Sequence, residues 1–139
     1  MVESVNGEPA GELTIRTIAM PADSNSAGDI FGGWVLSQMD LAGGITAGAR
    51  AHGRVATVAI DRMKFLRPVG VGDVLCVYSS IDRVGRTSIS VRLEAWALRS
   101  RDGNREKVTE GLFTFVALES DGRPRQVPPD GDAEPSAAV

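Results

Sequence analysis

Along residues 13–18 (LTIRTI) apolar and polar side chains interleave, the mark of a half-buried strand. Residues 20–29 lose that periodicity and fill with Pro, Ser, Asn, Gly and Asp, which is loop chemistry. Residues 34–51 hold no proline and much alanine, and predict a helix. Gly43, Gly44 and Gly48 each cost such a helix about 1 kcal/mol relative to alanine, so their use is predicted to be close approach of the helix backbone to a surrounding sheet. Residues 54–60, 73–81, 87–98 and 107–118 then read as strands. In the third of these, Ile89, Val91, Leu93, Ala95 and Ala97 take one side, with Ser88, Ser90, Arg92, Glu94 and Trp96 on the other.

Strand, loop, one long helix and four strands joined by short turns predict an α+β fold, a curved antiparallel sheet of about five strands wrapped around a central helix. The far face of that sheet is expected to be exposed, and dimerisation by sheet extension or through the helix face is expected to follow. The ends are poor in apolar residues. Residues 1–11 are read as a disordered N-terminus, 12–121 as the folded domain, and 122–139, with Pro124, Pro128, Pro129 and Pro135, as a mostly disordered acidic tail.

Composition narrows the function. The net charge of −3 is carried by residues 119–139; the remainder balances 13 basic against 13 acidic groups. A neutral body argues against a nucleic-acid-binding domain. No apolar stretch approaches the length that spans a bilayer, and residues 1–11 lack the order of a targeting segment, so no membrane partner and a cytoplasmic setting are expected. A single cysteine, Cys76, allows no internal disulfide. There is no Cys/His cluster for a metal, no nucleotide fingerprint, no nucleophile elbow around Ser37, and one histidine, His52, near the end of the helix. Chemistry in this chain therefore falls to carboxylate, amide and backbone groups.

Three places carry candidates. A helix start offers unpaired N–H groups and a partial positive charge. Gly32 and Gly33 would let a carbonyl oxygen approach those groups, although from the glycines alone a plain tight turn is the commoner reading. Asp40 follows Gly33 by seven positions, near two turns, on the same helix face and amid Met39, Leu41 and Ala42. A carboxylate in an apolar segment is costly unless paired or used, and by spacing alone it reads equally as structural or functional. Asn25 precedes the helix, where its amide orients a water or a carbonyl, or else closes an Asx turn. Lys64, Arg67, Arg83 and Arg86, the last between Gly85 and the hydroxyls of Thr87 and Ser88, are phosphate-binding candidates, each more often a solvated charge.

Residues 19–44 (AMPADSNSAGDIFGGWVLSQMDLAGG), with 53–59 (GRVATVA), 65–73 (FLRPVGVGD), 84–88 (VGRTS) and 108–117 (VTEGLFTFVA), resemble the YciA-type acyl-CoA thioesterases, bacterial relatives of the cytosolic brain-type acyl-CoA hydrolases. The likeness spans residues 13–128. It implies the hot-dog fold, Asp40 as catalytic carboxylate and Asn25 as the motif asparagine, with the two drawn from different chains at a dimer interface. It also implies dimers or hexamers built as trimers of dimers, and places Gly85, Arg86, Thr87 and Ser88 near the coenzyme A nucleotide. Lys64 departs from the pattern beside the matching Phe65, and both are included with Arg67 as coenzyme A contacts. No cofactor is implied beyond coenzyme A as part of substrate and product.

The expected reaction is hydrolysis of fatty acyl-CoA over a broad chain-length range. The thioester carbonyl would be polarised by the N–H of Gly33 and Gly32, and Asp40 would act as general base or as nucleophile through a mixed anhydride. Two rivals use the same fold. An acyl-CoA hydratase would pair the carboxylate with a histidine, and His52 is the one available; a non-catalytic acyl-CoA-binding protein would need no Asp40.

Overall fold

The computed structural model describes residues 7–130. The expected disorder at residues 1–6 and 131–139 lies outside the described residues. Strand β1 (Glu12–Ile18) leads through a 3-10 turn (Pro21–Asp23) to helix α1 (Gly32–Ala51), followed by β2 (Val55–Phe65), β3 (Val74–Val84), β4 (Ser88–Leu98) and β5 (Arg105–Ala117). The strands form one antiparallel sheet in the order β1-β3-β4-β5-β2, so β1 and β2 are its edges. The helix lies in the concave face, the hot-dog arrangement. No helix among the described residues is long and apolar enough to cross a membrane.

The core lies between helix and sheet. Val35, Met39, Ala42, Ala47 and Ala51 meet Leu75, Val77, Ile89, Val91, Leu93, Phe113 and Phe115. Gly43 explains itself there. A Cβ at this position would stand 2.7 Å from Phe115 Cζ and 3.0 Å from Leu93 Cδ1, so the helix backbone rests directly on β4 and β5. The side of β4 holding Ile89, Val91 and Leu93 faces this core, as the alternation indicates.

The opposite side of β4 departs from expectation. Arg92, Glu94 and Trp96 are buried rather than exposed. Glu94 accepts from Arg92 Nη1 at 2.8 Å, from Trp96 Nε1 at 2.9 Å and from the Ala10 backbone N–H at 3.2 Å. Lys107 and Glu110 extend the cluster. The Glu110 carboxyl is held below the usual range by its hydrogen bond from Lys107, against opposing desolvation, with Arg92 and Lys64 adding to the pull. A buried charge survives where its partners satisfy it, and Ala10, assigned to a disordered end, is part of that cover.

Strand β2 runs to Phe65, beyond the expected residue 60. Register shifts at Thr57/Ala59 and Asp61/Lys64 break its alternation, and Arg62 adopts φ 55°, a bulge geometry common at sheet edges. The loop from β2 to β3 is clamped by Asp73. Its carboxylate accepts from the N–H groups of Gly70 (2.8 Å) and Ser100 (3.0 Å) and from Arg99 Nη1 (2.8 Å). Arg99 also donates to Pro68 O and Glu106. Burial pushes the Asp73 carboxyl up, but these donors outweigh it and leave it below its ordinary value.

Residues 122–130, expected to be disordered, fold back instead. Val127 is 5% exposed within the main core, and Arg125 reaches the last turn of the helix.

Candidate active site

The loop before α1 is tied to both neighbours. Phe31 N donates to Asp23 O at 2.9 Å, and Ile30 N to Val69 O at 3.0 Å, inside the loop that Asp73 clamps. The helix starts at Gly32, so both glycines belong to its first turn, and their N–H groups have no acceptor among the described residues. A Cβ on Gly32 would lie 3.5 Å from the Phe65 ring, whereas one on Gly33 would meet nothing within 4 Å. Gly33 therefore faces open space beside unpaired donors, the arrangement that can stabilise an oxyanion.

Asn25 closes an Asx turn. Its Oδ1 accepts from the N–H groups of Ala27 (2.9 Å) and Asp29 (3.1 Å). The turn fixes the side chain and leaves Nδ2 as the group free to donate.

Asp40 is half-buried, more open than its apolar neighbours in the sequence suggest. Thr57 Oγ1 on β2 donates to its Oδ1 at 2.5 Å. Asp40 and Thr57 line a groove of about 340 Å³ with Leu41, Gly44, Ile45, Val55 and Phe115. One carboxylate oxygen is thus held and the other is available at the edge of a largely apolar groove. The sequence reading missed Thr57; a lone hydroxyl between Ala56 and Val58 was the available signal. Asn25, Gly32 and Gly33 do not line this groove. Eight residues of helix put Gly32 about 12 Å from Asp40 along the axis.

The expected coenzyme A contacts do not form one cluster within the chain. Phe65 sits against Gly32 at the helix N-terminus. Lys64 pairs in register with Glu110 and lines a separate cavity with Arg62 and Arg92 on the sheet face away from the helix. Arg67 donates to Lys107 O at 2.8 Å and lies 3.8 Å from Glu106, so its guanidinium is engaged within the chain. Gly85, Arg86, Thr87 and Ser88 lie elsewhere. Ser88 is paired with Val116, and Phe65 with Thr109, positions separated by roughly 23 Å along β5. His52 is an exposed left-handed C-cap with φ 56°, about 18 Å along the helix from Asp40, and the two do not meet within a chain.

The outer edge is apolar. Leu41 (57% exposed) and Ile45 (52%) on the helix and Val58 (57%) and Ile60 on β2 are all exposed, and β2 has one hydrogen-bonding side unpaired among the described residues. Such a surface marks an interaction site.

Known proteins resemble the chain over most of its length. A family model described as the thioesterase superfamily matches residues 27–103. The acyl-CoA thioester hydrolase YciA of Salmonella typhimurium is 51% identical over 131 residues, covering 92% of this chain and 98% of the relative. The crystal structure of HI0827, a hexameric broad-specificity acyl-coenzyme A thioesterase, superposes with a TM-score of 0.84 at 47% identity, covering 89% of this chain and 86% of that one. The hexameric thioesterase y2039 of Yersinia pestis gives a TM-score of 0.83 at 50% identity, over 87% and 98% of the two chains.

Proposed function

The chain belongs to the thioesterase superfamily, among the acyl-CoA thioester hydrolases of the YciA type, and on that premise we propose that it hydrolyses acyl-CoA to a carboxylic acid and coenzyme A at the groove that Asp40 lines. The observation that carries the assignment is the Asp40 carboxylate, oriented by Thr57 at the edge of a largely apolar groove. Leu41, Ile45, Val55 and Phe115 offer the acyl chain a wall without polar groups.

The complete site takes two copies. Pairing β2 with its counterpart across a two-fold axis would cover Val58, Ile60, Leu41 and Ile45 and complete the edge strand. Antiparallel pairing sets the Val55 end of one β2 beside the Phe65 end of the other. Asp40 and Thr57 then approach Asn25, Gly32 and Gly33 of the partner subunit, and the 85–88 loop approaches the partner subunit's Phe65. Phe65 and the 85–88 loop, far apart within one chain, would become neighbours in that assembly. A homo-oligomer, with the hexamer of the similar structures as its form, is therefore part of the reading.

In the reaction, the carbonyl oxygen faces the N–H of Gly33, with Gly32 beside it, and gains charge as the carbonyl carbon is attacked. Asp40 either takes a proton from the attacking water or attacks directly to form a mixed anhydride that water then opens. The C–S bond breaks, coenzyme A leaves as thiolate and is protonated, and the acid is released. Asn25 Nδ2 donates to the water or the carbonyl. Coenzyme A enters as part of the substrate.

Thiol release from acetyl- through stearoyl-CoA, compared between wild type and Asp40→Ala, tests the assignment. Loss of a general acid–base group predicts a fall in kcat of about 10²–10⁴-fold in a folded variant; turnover that survives the substitution refutes it. Heavy-oxygen label from solvent entering Asp40 in a single turnover identifies the anhydride route, with water attacking the Asp40 carbonyl of the anhydride.

A further inference from the structure

Residues 122–130 have the composition of a disordered tail, yet hydrogen bonds tie them to the body of the fold. Arg125 N donates to Ala117 O at 2.9 Å and Val127 N to Arg86 O at 2.8 Å. The Arg125 guanidinium bridges Ala51 O (2.6 Å) and Leu118 O (3.1 Å), and Arg50 Nη1 donates to Pro128 O at 2.6 Å. The last carbonyls of a helix lack amide donors, and an arginine there satisfies one of them while matching the helix dipole. Gly53 makes room: a Cβ would stand 2.8 Å from Arg125 Nη2. The Val127 side chain anchors the segment in the core.

One partner of this segment is a proposed substrate contact. In the 85–88 loop, Gly85 N closes on Ser88 O at 2.7 Å, Thr87 O accepts from Ala117 N at 2.9 Å, and Arg86 O accepts from Val127 N. Two consecutive carbonyls are thus tied inward. A trans peptide sets its N–H opposite its C=O, so the bond to Arg86 O turns the Thr87 N–H away from the tail, while the Arg86 side chain stays exposed.

We propose that residues 124–130 are a strap that pre-sets the 85–88 loop for the nucleotide phosphates of coenzyme A, with Val127 and Arg125 as positioning residues. The inference rests on the reading of Gly85, Arg86, Thr87 and Ser88 as nucleotide contacts. The strap acts on recognition of the nucleotide and not on the thioester, which reacts at the Asp40 groove.

The test compares an acyl-CoA with the same acyl group on pantetheine, which carries no nucleotide. Val127→Pro deletes the N–H that Arg86 O accepts and keeps an apolar side chain. Arg50→Ala frees Pro128 while leaving every strap amide intact, and it carries the test if Val127→Pro does not fold. Loss of one net hydrogen bond predicts a rise in KM for acyl-CoA of about fivefold in Val127→Pro, and about twofold in Arg50→Ala through the loosened strap. kcat and the kinetics of acyl-pantetheine should hold in both. Arg86→Ala, measured alongside, should raise KM for acyl-CoA. A rise in Arg86→Ala with none in the strap variants overturns the strap and leaves the loop's role standing. No rise in any of the three overturns the nucleotide reading and the strap with it. Equal losses on both thioesters would make the strap a stability element alone and overturn the proposal.

Discussion

Alanine placed at Gly43 or at Gly44 should move stability in opposite directions, although the two positions are adjacent in one helix. Each replacement gains about 1 kcal/mol of helix propensity, since glycine is the weaker helix former. At Gly43 the new Cβ would stand 2.7 Å and 2.9 Å from the Phe115 ring and 3.0 Å from Leu93 Cδ1. Both neighbours are buried and Phe115 is rigid, so the ring or the helix must shift. Overpacking of that kind costs about 1–3 kcal/mol, leaving a net loss of up to about 2 kcal/mol. At Gly44 the nearest atom is Phe115 Cε2 at 4.0 Å, ordinary contact, so the propensity gain stands. Urea denaturation at fixed protomer concentration reads the difference; the concentration must be held because assembly shifts apparent stability. Stabilisation in both variants would mean that the helix does not rest on β4 and β5 as closely as described, and would refute the packing argument. Gly44 also lines the Asp40 groove, so Gly44→Ala should raise KM for acyl-CoA even as it stabilises the fold.

Three further outcomes follow from the geometry. Thr57→Val removes the hydroxyl that orients Asp40 and should lower kcat about ten- to hundredfold, the range for a hydrogen bond to a charged group; unchanged kcat would make the contact incidental. Asp73 has a carboxyl below its ordinary value, so its stabilisation is present above about pH 4 and is lost as pH falls through the folded-state value. Asp73→Asn should therefore unfold more easily than wild type at neutral pH, with a gap that narrows in acid; a pH-independent gap would refute the assignment. Asp40→Ala and Asn25→Ala, each inactive alone, should recover about a quarter of wild-type activity when co-refolded, because half of randomly assorted dimers keep one of two shared sites; no recovery would place both residues in one chain.

The element order was legible because each segment has its own period, and the helix glycines announced close packing that Gly43 then displayed. Other features needed tertiary contact. The bulges in β2 disguise residues 61–65 as loop, since Arg62 in a left-handed conformation breaks the alternation on which strand recognition depends. Arg92 and Glu94 look solvent-facing in sequence, and their pairing with each other and with Lys107, Glu110, Trp96 and Ala10 lets them be buried. Residues 122–130 lack the apolar content to fold alone, yet one valine and one arginine find receptors prepared by other segments. Asp40 and Asn25 were recognisable as types; the hydrogen bond from Thr57 joins residues 17 apart in sequence and depends on where β2 meets the helix.

The sheet order also imposes a timetable on synthesis. β2 is the second strand made, yet its one neighbour among the described residues is β5, the last. At 5–20 residues per second, the ribosome needs about 3–10 s to travel from the end of β2 to the end of β5. Through that interval β2 lacks its partner strand, and Thr57 has no ladder to hold it beside Asp40. An unpaired strand is open to misassociation, and slowing translation between β2 and β5 should lower the soluble yield more than slowing it within β1 or the helix.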